Sequence, residues 1–158
     1  MNSTPKRLVP ILIGLLFTLG TTSAPAAKAP LSPEKLKESS SHIVSGKVLE
    51  VESKVQKSDI ERGIGIQRDE VFTIKVLVKT VSKGGTVKVG DEIEIVAWRP
   101  RTRIPPTAGL QGHDSIPKEG DIVKLFLEDS DGKSFEPLLP NGIVIEKEVA
   151  RKPGKAIR

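Results

Sequence analysis

The stretch EVFTIKVLVKTV, residues 70–81, decides the fold class. Phe72, Ile74, Val76 and Val78 fall on one side of an extended chain, and Thr73, Lys75 and Lys79 fall on the other. A period of two marks a strand with one face on a core. The same period recurs on both sides of it. Upstream, Val44, Gly46 and Val48 alternate with Ser45, Lys47 and Leu49. Val51 and Val55 then fall out of phase with Val44 and Val48, which together with Gly46 predicts a bend or bulge in a long first strand. Downstream, Ile93 and Ile95 alternate with Glu92 and Glu94, and Val123, Leu125 and Leu127 alternate with Lys124 and Phe126. Residues 135–139 and 142–148 read as the last strands.

Between these runs lie turn residues: Lys83-Gly84-Gly85, Asp131-Gly132 and Asn141-Gly142. Residues 56–67 read as a long loop. Two stretches echo each other, KVGDEIEI at 88–95 and KEGDIVKL at 118–125, and both read as a Gly-Asp turn that feeds a strand. One helix is expected. Ser32 has the oxygen for an N-cap, Pro33 suits the first helical position, and Glu34 complements the first turn. It should end near Ser40, with Leu36 as its only strong apolar contact, packing as a lid. These elements predict a mainly β protein, a small five- to six-stranded OB-like β-barrel with a short N-terminal helix. A barrel accommodates a coiled first strand and leaves few exposed edges.

The chain's ends are of a different kind. Lys6 and Arg7 precede an apolar run, LVPILIGLLFTLG at 8–20, and a small-residue stretch containing Ala24-Pro25-Ala26. This layout is that of a cleavable signal peptide over residues 1–26. The run is short of the ~20 residues that a spanning helix needs, so no transmembrane segment is expected after cleavage. Secretion or a periplasmic location follows. Residues 27–40 then form the linker and short helix, 41–148 the barrel, and 149–158 a disordered basic tail. There is no cysteine, so no disulfide supports the fold. The formal charge of +5 belongs largely to the ends. With Lys6, Arg7, Lys28 and the tail's Arg151, Lys152, Lys155 and Arg158 set aside, eighteen basic residues face twenty acids, and the body stands at about −2.

The stretches SHIVSGKVLEV (41–51), VFTIKVLVKTVSK (71–83), 89–96 and KEGDIVKLFL (118–127) together resemble exported OB-fold modules of the netrin-like, metalloproteinase-inhibitor-like type. In that group a helix leads into a xxVVxGKVxxV strand, a strand ending in V.KG follows, then VGDxIxV and xxGDxxLLFL. The resemblance spans about 80 residues and implies an exported OB barrel. Those inhibitors act through an N-terminal cysteine and several disulfides. This chain has neither, so the resemblance carries over no inhibitory mechanism and no functional residue.

Catalytic and metal chemistry find little support. The two histidines, His42 and His113, lie far apart; His42 begins a strand and reads as a surface or packing residue. Zinc sites need Cys and His clustered at short spacings. Asp129-x-Asp131-Gly132 lacks the further oxygens of a calcium loop and reads as a hairpin. The Ser-x-x-Lys spacings at Ser32 and Ser130 sit in a cap and a hairpin, without the companion motifs of serine acyl-enzymes. No cofactor is implied. Nucleic acid is an unpromising partner, because single-strand binders stack bases on aromatic rings and aromatics are 3% of this chain.

What remains is AWRPRTRIPPTAGLQGHDSIPKEGD, residues 97–121. Within it Arg99 to Lys118 reads as a long connection without periodicity, stiffened by Pro100, Pro105, Pro106 and Pro117. Long connections of this kind are often functional. Trp98, Arg99, Arg101, Arg103 and His113 are its candidate partner-binding residues. Trp and Arg are enriched at binding hot spots. In an extended chain the three arginines would share one side, suited to carboxylates or phosphates. The expected function is an exported, non-catalytic binding module that meets an extracytoplasmic protein or an anionic polymer through residues 98–118, as a monomer. The competing reading is a structural or accessory envelope protein, in which this stretch is a strap, Trp98 caps the barrel and the arginines pair with Glu92 and Glu94. A hydrolytic enzyme ranks third.

Overall fold

A computed structural model describes residues 28–61, 63–106, 111–129 and 134–146. The segment read as a signal peptide, the Asp131-Gly132 pair read as a turn and the stretch read as a basic tail lie outside the described residues. The elements are α1 (Pro33–Ser39), β1 (His42–Lys57), β2 (Ile66–Lys83), β3 (Glu92–Ile104), β4 (Ile122–Asp129), β5 (Phe135–Pro137) and β6 (Ile143–Glu146). Among the described residues no helix is long and apolar enough to cross a membrane.

Hydrogen bonds close the strands into a ring. β1 pairs with β2, β2 with β3, β3 with β5, β5 with β4, and β4 returns to β1, with β6 added on β4. All pairings are antiparallel except β3 with β5. This is the OB-like barrel that the alternating pattern predicts. Its core is aliphatic: Val44, Val48, Ile74, Val76, Val78, Ile95, Val123, Leu125 and Leu127 are all sealed from solvent. Burial of such side chains contributes about 1.5–3 kcal/mol each.

β1 closes the barrel by serving two neighbours. His42–Lys47 pair with β4 while the whole strand pairs with β2. That double duty requires coiling, and the register shows where it occurs. Between Val48 and Glu50 one extra residue, Leu49, interrupts the β1–β2 ladder. The inward side chains therefore change from Val44 and Val48 to Val51, which is the phase change seen in the sequence. At Gly46 the strands approach so closely that a Cβ would lie 2.5 Å from the carbonyl oxygen of Leu77.

The two echoing stretches build the same turn. Asp91 Oδ2 accepts from Lys88 N–H at 2.8 Å, and Asp121 Oδ2 accepts from Lys118 N–H at 2.8 Å. Gly90 and Gly120 both take positive φ and donate their N–H groups to Val78 and Val48 respectively. Each turn thus docks onto a valine of the hairpin and starts a strand beside it.

Ser32 caps α1 by accepting from Lys35 N–H at 3.3 Å. Leu36 packs with Ile43, Phe126 and Leu138 in a second small cluster. The alternation of β4 therefore has apolar contacts on both faces, Leu125 and Leu127 inward and Phe126 under the helix.

Two expectations are corrected. The loop read at 56–67 is shorter than expected at both ends: β1 continues to Lys57 and β2 begins at Ile66. The connection read as unstructured from Arg99 onward begins as strand, because β3 runs to Ile104. Both errors have one cause. The ends of these strands leave the barrel as a three-stranded arm, where the shielded positions Gln67 and Glu70 are polar while Val55, Ile66 and Ile104 are exposed, so burial no longer follows an apolar–polar alternation.

The close approach at Gly46 is testable. Gly46→Ala is expected to destabilise the protein by about 1–3 kcal/mol through overpacking. Gly85→Ala, with open space around its Cβ position, should stay within about 0.5 kcal/mol of wild type. Urea unfolding followed by circular dichroism measures both.

Candidate functional site

The arm consists of the outer ends of β1, β2 and β3, and its register assigns each side chain to a face, because directly opposite residues share one. Glu70 lies opposite Val55 on one side and Arg99 on the other; Arg68 lies opposite Lys57 and Thr102; Ile66 lies opposite Ile104. These residues continue the row of Phe72, Ile74 and Val76, so this face is the barrel interior carried outward into solvent. The opposite face bears Asp69, Val71, Val96 and Trp98.

A register shift between Arg68 and Asp69 leaves Arg101 as the extra residue on β3. It separates the arginines. Arg99 and Arg101 both turn to Glu70, whereas Arg103 crosses to the Trp98 face. A regular strand would have kept the three on one side, as the sequence reading assumed; the bulge overturns that. Their partners are also not Glu92 and Glu94. Arg99 donates to Glu70 Oε2 from Nε at 3.0 Å and from Nη2 at 2.8 Å, and Arg101 donates from Nη1 to Oε1 at 3.4 Å. Arg103 pairs with Asp69 and donates to the carbonyl of Arg68 at 2.7 Å. The exposures separate the roles. The side chain of Arg103 is 12% exposed, whereas those of Arg99 and Arg101 are 51% and 54% exposed.

Glu70 is the hub. Its side chain is 11% exposed, and two guanidiniums serve its one carboxylate. The hydrogen bonds from Arg99, followed by the charges of Arg99 and Arg101, hold its carboxyl below the usual glutamate value against the opposing effect of burial. Arg99 also lies over the Phe72 ring, 5.2 Å from its centroid, a cation–π contact that fixes it on the floor of the face. At the arm's tip Glu61 accepts from Gln67 N–H at 2.7 Å and pairs with Arg68 and Lys57. The Gln67 N–H, then the two cations, lower its carboxyl as well. Around these charges stand exposed apolar side chains: Val55, Ile66 and Ile104, with Ile64 at the tip. Four cations, Lys57, Arg68, Arg99 and Arg101, thus surround two carboxylates. The face carries a surplus of positive charge beside exposed aliphatic surface.

Trp98 and His113 do not join it. Trp98 is half-buried on the other side, in a groove of about 390 Å³ lined with Asp59, Asp69, Val71, Val96 and Leu139. His113 is buried and acts as a stitch. Its backbone N–H donates to the carbonyl of Trp98 at 2.8 Å. Its Nε2 lies 3.0 Å from the carbonyl of Pro137, an acceptor only, so Nε2 carries the proton. Nδ1 is then free to accept from the N–H of Trp98 at 3.1 Å. The ring so ties β3 to β5, where the two strands share only one ladder pair, Ile95 with Phe135. Asp114 N–H to Pro140 O at 2.9 Å and the buried Pro117 fasten the rest of the segment. The two competing readings of the connection therefore divide along its length: the first part is arm, and residues 111–117 are strap.

No protein-family model, curated protein or solved structure matches this chain. Its site is read from its own residues alone.

Sequence reasoning missed Glu70 and Asp69: Glu70 was read only as the first residue of a strand, and Asp69, between the loop at 56–67 and that strand, was given no role. The signal was the run Gln67-Arg68-Asp69-Glu70 directly before a strong strand, with the arginine triplet at the end of the next one. Antiparallel pairing brings those two runs side by side. Of the two readings of His42, surface or packing, the structure shows packing. It is buried, with Nδ1 3.0 Å from Ser41 Oγ and 3.2 Å from Asp129 Oδ1, and Nε2 2.6 Å from Thr86 Oγ1. It packs edge-on to Phe135 and pins the Gly84–Thr86 turn to the start of β1. Among the described residues no group of three or more His, Cys, Asp or Glu is placed to hold a metal ion.

His113→Ala should destabilise the protein by about 2–4 kcal/mol, because it opens a cavity and strands two buried backbone groups. Arg101→Ala should leave the urea midpoint close to wild type. Glu70 makes a pH prediction. A carboxyl whose folded value is lowered stabilises the fold above the ordinary glutamate value of 4.5, and that stabilisation is lost as the pH falls through the folded value. Thermal unfolding from pH 6 down to about pH 2 should therefore show a smaller acid-induced fall in Tm for Glu70→Gln than for wild type.

Proposed function

We propose that this protein is an exported, non-catalytic binding module whose arm face meets an extracytoplasmic protein through acidic and apolar groups. The charged start, apolar run and Ala24-Pro25-Ala26 pattern support export. One observation carries the binding reading: Arg99 and Arg101 share the single carboxylate of Glu70 and remain half-exposed beside Val55, Ile66 and Ile104.

The physics of that arrangement favours a ligand. Two guanidiniums on one carboxylate leave unspent positive charge and free N–H donors in a fixed position. An incoming carboxylate can be held by charge-assisted hydrogen bonds without further ordering of the arginines. Glu70 positions the two cations, so its own role is orientation. The aliphatic side chains favour a protein over an anionic polymer, since a uniformly charged chain leaves Val55, Ile66 and Ile104 in water. Arg and apolar surface together are the composition of interface centres. The affinity should carry a salt dependence, because the exposed charges are screened over about 8–10 Å at physiological salt.

The test is a photo-crosslinking group placed at Thr102, beside the arginines, in mature protein exposed to its native extracytoplasmic fraction. Wild-type protein should yield a specific crosslinked protein. Arg99→Ala/Arg101→Ala should reduce its yield at least tenfold, and Ile66→Ser/Ile104→Ser should reduce it as well. A crosslink that survives both double substitutions contradicts the proposal.

A further inference from the structure

We propose that two copies of this chain join edge to edge through β1, antiparallel about a two-fold axis at Ser53. The proposal does not rest on the arginine face. It starts from an edge that the barrel leaves open. β4 pairs with β1 only as far as Lys47, and the last bonds on that side are those of Val48 with Gly120 and Asp121. From Leu49 to Lys57 the only strand paired with β1 among the described residues is β2. Glu50–Lys57 hold a constant register with β2, without bulge or proline, and Glu52–Lys57 are all exposed. A long, regular, open edge is a template for another strand, and proteins that need to stay unpaired usually interrupt it.

The sequence along that edge fits itself. It reads Leu49-Glu50-Val51-Glu52-Ser53-Lys54-Val55-Gln56-Lys57, acidic before Ser53 and basic after it, with valines placed equally on each side. In an antiparallel pair directly opposite residues share a face. A two-fold axis normal to the sheet must therefore pass through a residue. With the axis at Ser53, Val51 faces the second copy's Val55, Glu52 faces its Lys54, and Glu50 faces its Gln56. Moving the axis to Glu52 or Lys54 sets that charge against its own copy. Parallel pairing in register sets every charge against its like. Like charges directly opposite are destabilising and opposite charges and β-branched pairs are favourable, so the Ser53 register is the one selected. It also accounts for Val55, an exposed valine in a strand, which comes to lie against the second copy's half-buried Val51. The monomer expected from the sequence took no account of this edge, since the strand order that, among the described residues, leaves the outer half of β1 unpaired on one side is not encoded in any local pattern.

The result would be a continuous six-stranded arm. An axis normal to the sheet keeps both copies of the Glu70 face on one side, so the two Arg99/Arg101 pairs would flank the Val51/Val55 centre.

The absence of cysteine makes the test direct. At the axis Ser53 faces itself at a Cα separation of about 4.5–5.5 Å, within disulfide reach. In otherwise wild-type mature protein, Ser53→Cys should form a disulfide-linked dimer under mild oxidation much faster than Gln56→Cys, whose partner position is Glu50. Sedimentation velocity should show a dimer for wild type. Glu52→Lys alone and Lys54→Glu alone should each weaken it at least tenfold, and Glu52→Lys/Lys54→Glu should restore it. Circular dichroism confirms that each variant is folded. A monomer at all concentrations overturns the proposal and leaves the edge to a foreign strand; so does a dimer indifferent to both single charge reversals, or equal crosslinking by the two cysteine variants.

Discussion

One carboxylate, that of Glu70, ties the outer half of this molecule together. It lies where the barrel interior opens into solvent, at the transition from the buried row of Phe72, Ile74 and Val76 to the exposed row of Arg68 and Ile66. A carboxylate that is mostly shielded needs hydrogen bonds and opposite charge, or it takes up a proton instead. Arg99 and Arg101 supply both from the neighbouring strand, and Arg99 is itself held on Phe72. The strand ends stay paired well past the last core residue, and the arginines are held in place without being used up. The same pair of cations that lets the acid stay charged is what the proposed binding face would offer a partner.

The barrel behind it makes this arm possible. β1 and β2 are each far longer than the five or six residues of an average strand. The barrel uses only part of each, and the remainder projects as the arm. His113 and the 111–117 strap close the weakest seam, between β3 and β5, so that the barrel is complete where the arm leaves it. Trp98, on the opposite face to Glu70, belongs with this structural side of the molecule through its backbone link to His113. A chain without disulfides thus separates its stability, held in an aliphatic ring of strands, from a surface free to carry charge.

How much of this was legible in the sequence depended on burial. Where one face of a strand meets the core, alternation revealed it: β2 from Phe72 onward, β3 at Ile93 and Ile95, β4 at Val123 to Leu127, and the phase change that marks the Leu49 bulge. The helix start was legible because Ser32, Pro33 and Glu34 each have a positional chemistry. The echo of 88–95 in 118–125 was legible because a turn requires Gly and Asp at fixed places. The arm was not legible, because its shielded positions, Gln67 and Glu70, are polar and its exposed ones include Val55, Ile66 and Ile104, which erases the period that marks a strand. The site suffered for the same reason. Arg99 and Arg101 were visible as residues, but their partner Glu70 was not, since the pairing that brings them together depends on a register that no local pattern encodes. The separation of Arg103 from the other two was hidden in a single extra residue. His113 was singled out for its loop and proved to be an internal tie, its role set by two backbone groups distant in sequence.

The account stands on the arm being a built structure that presents Arg99 and Arg101 in place before any partner arrives. Amide hydrogen exchange of the isolated protein tests that claim most directly. If the account holds, the amides of residues 66–70 and the ladder-bonded amides of 99–104 exchange slowly, within the range of the barrel strands, and Glu70→Gln speeds the arm's exchange while leaving that of residues 74–78 unchanged. If residues 99–104 exchange at the rate of an open chain in the wild-type protein, the arginines ride on a loose connection, and the fixed binding face described here does not exist.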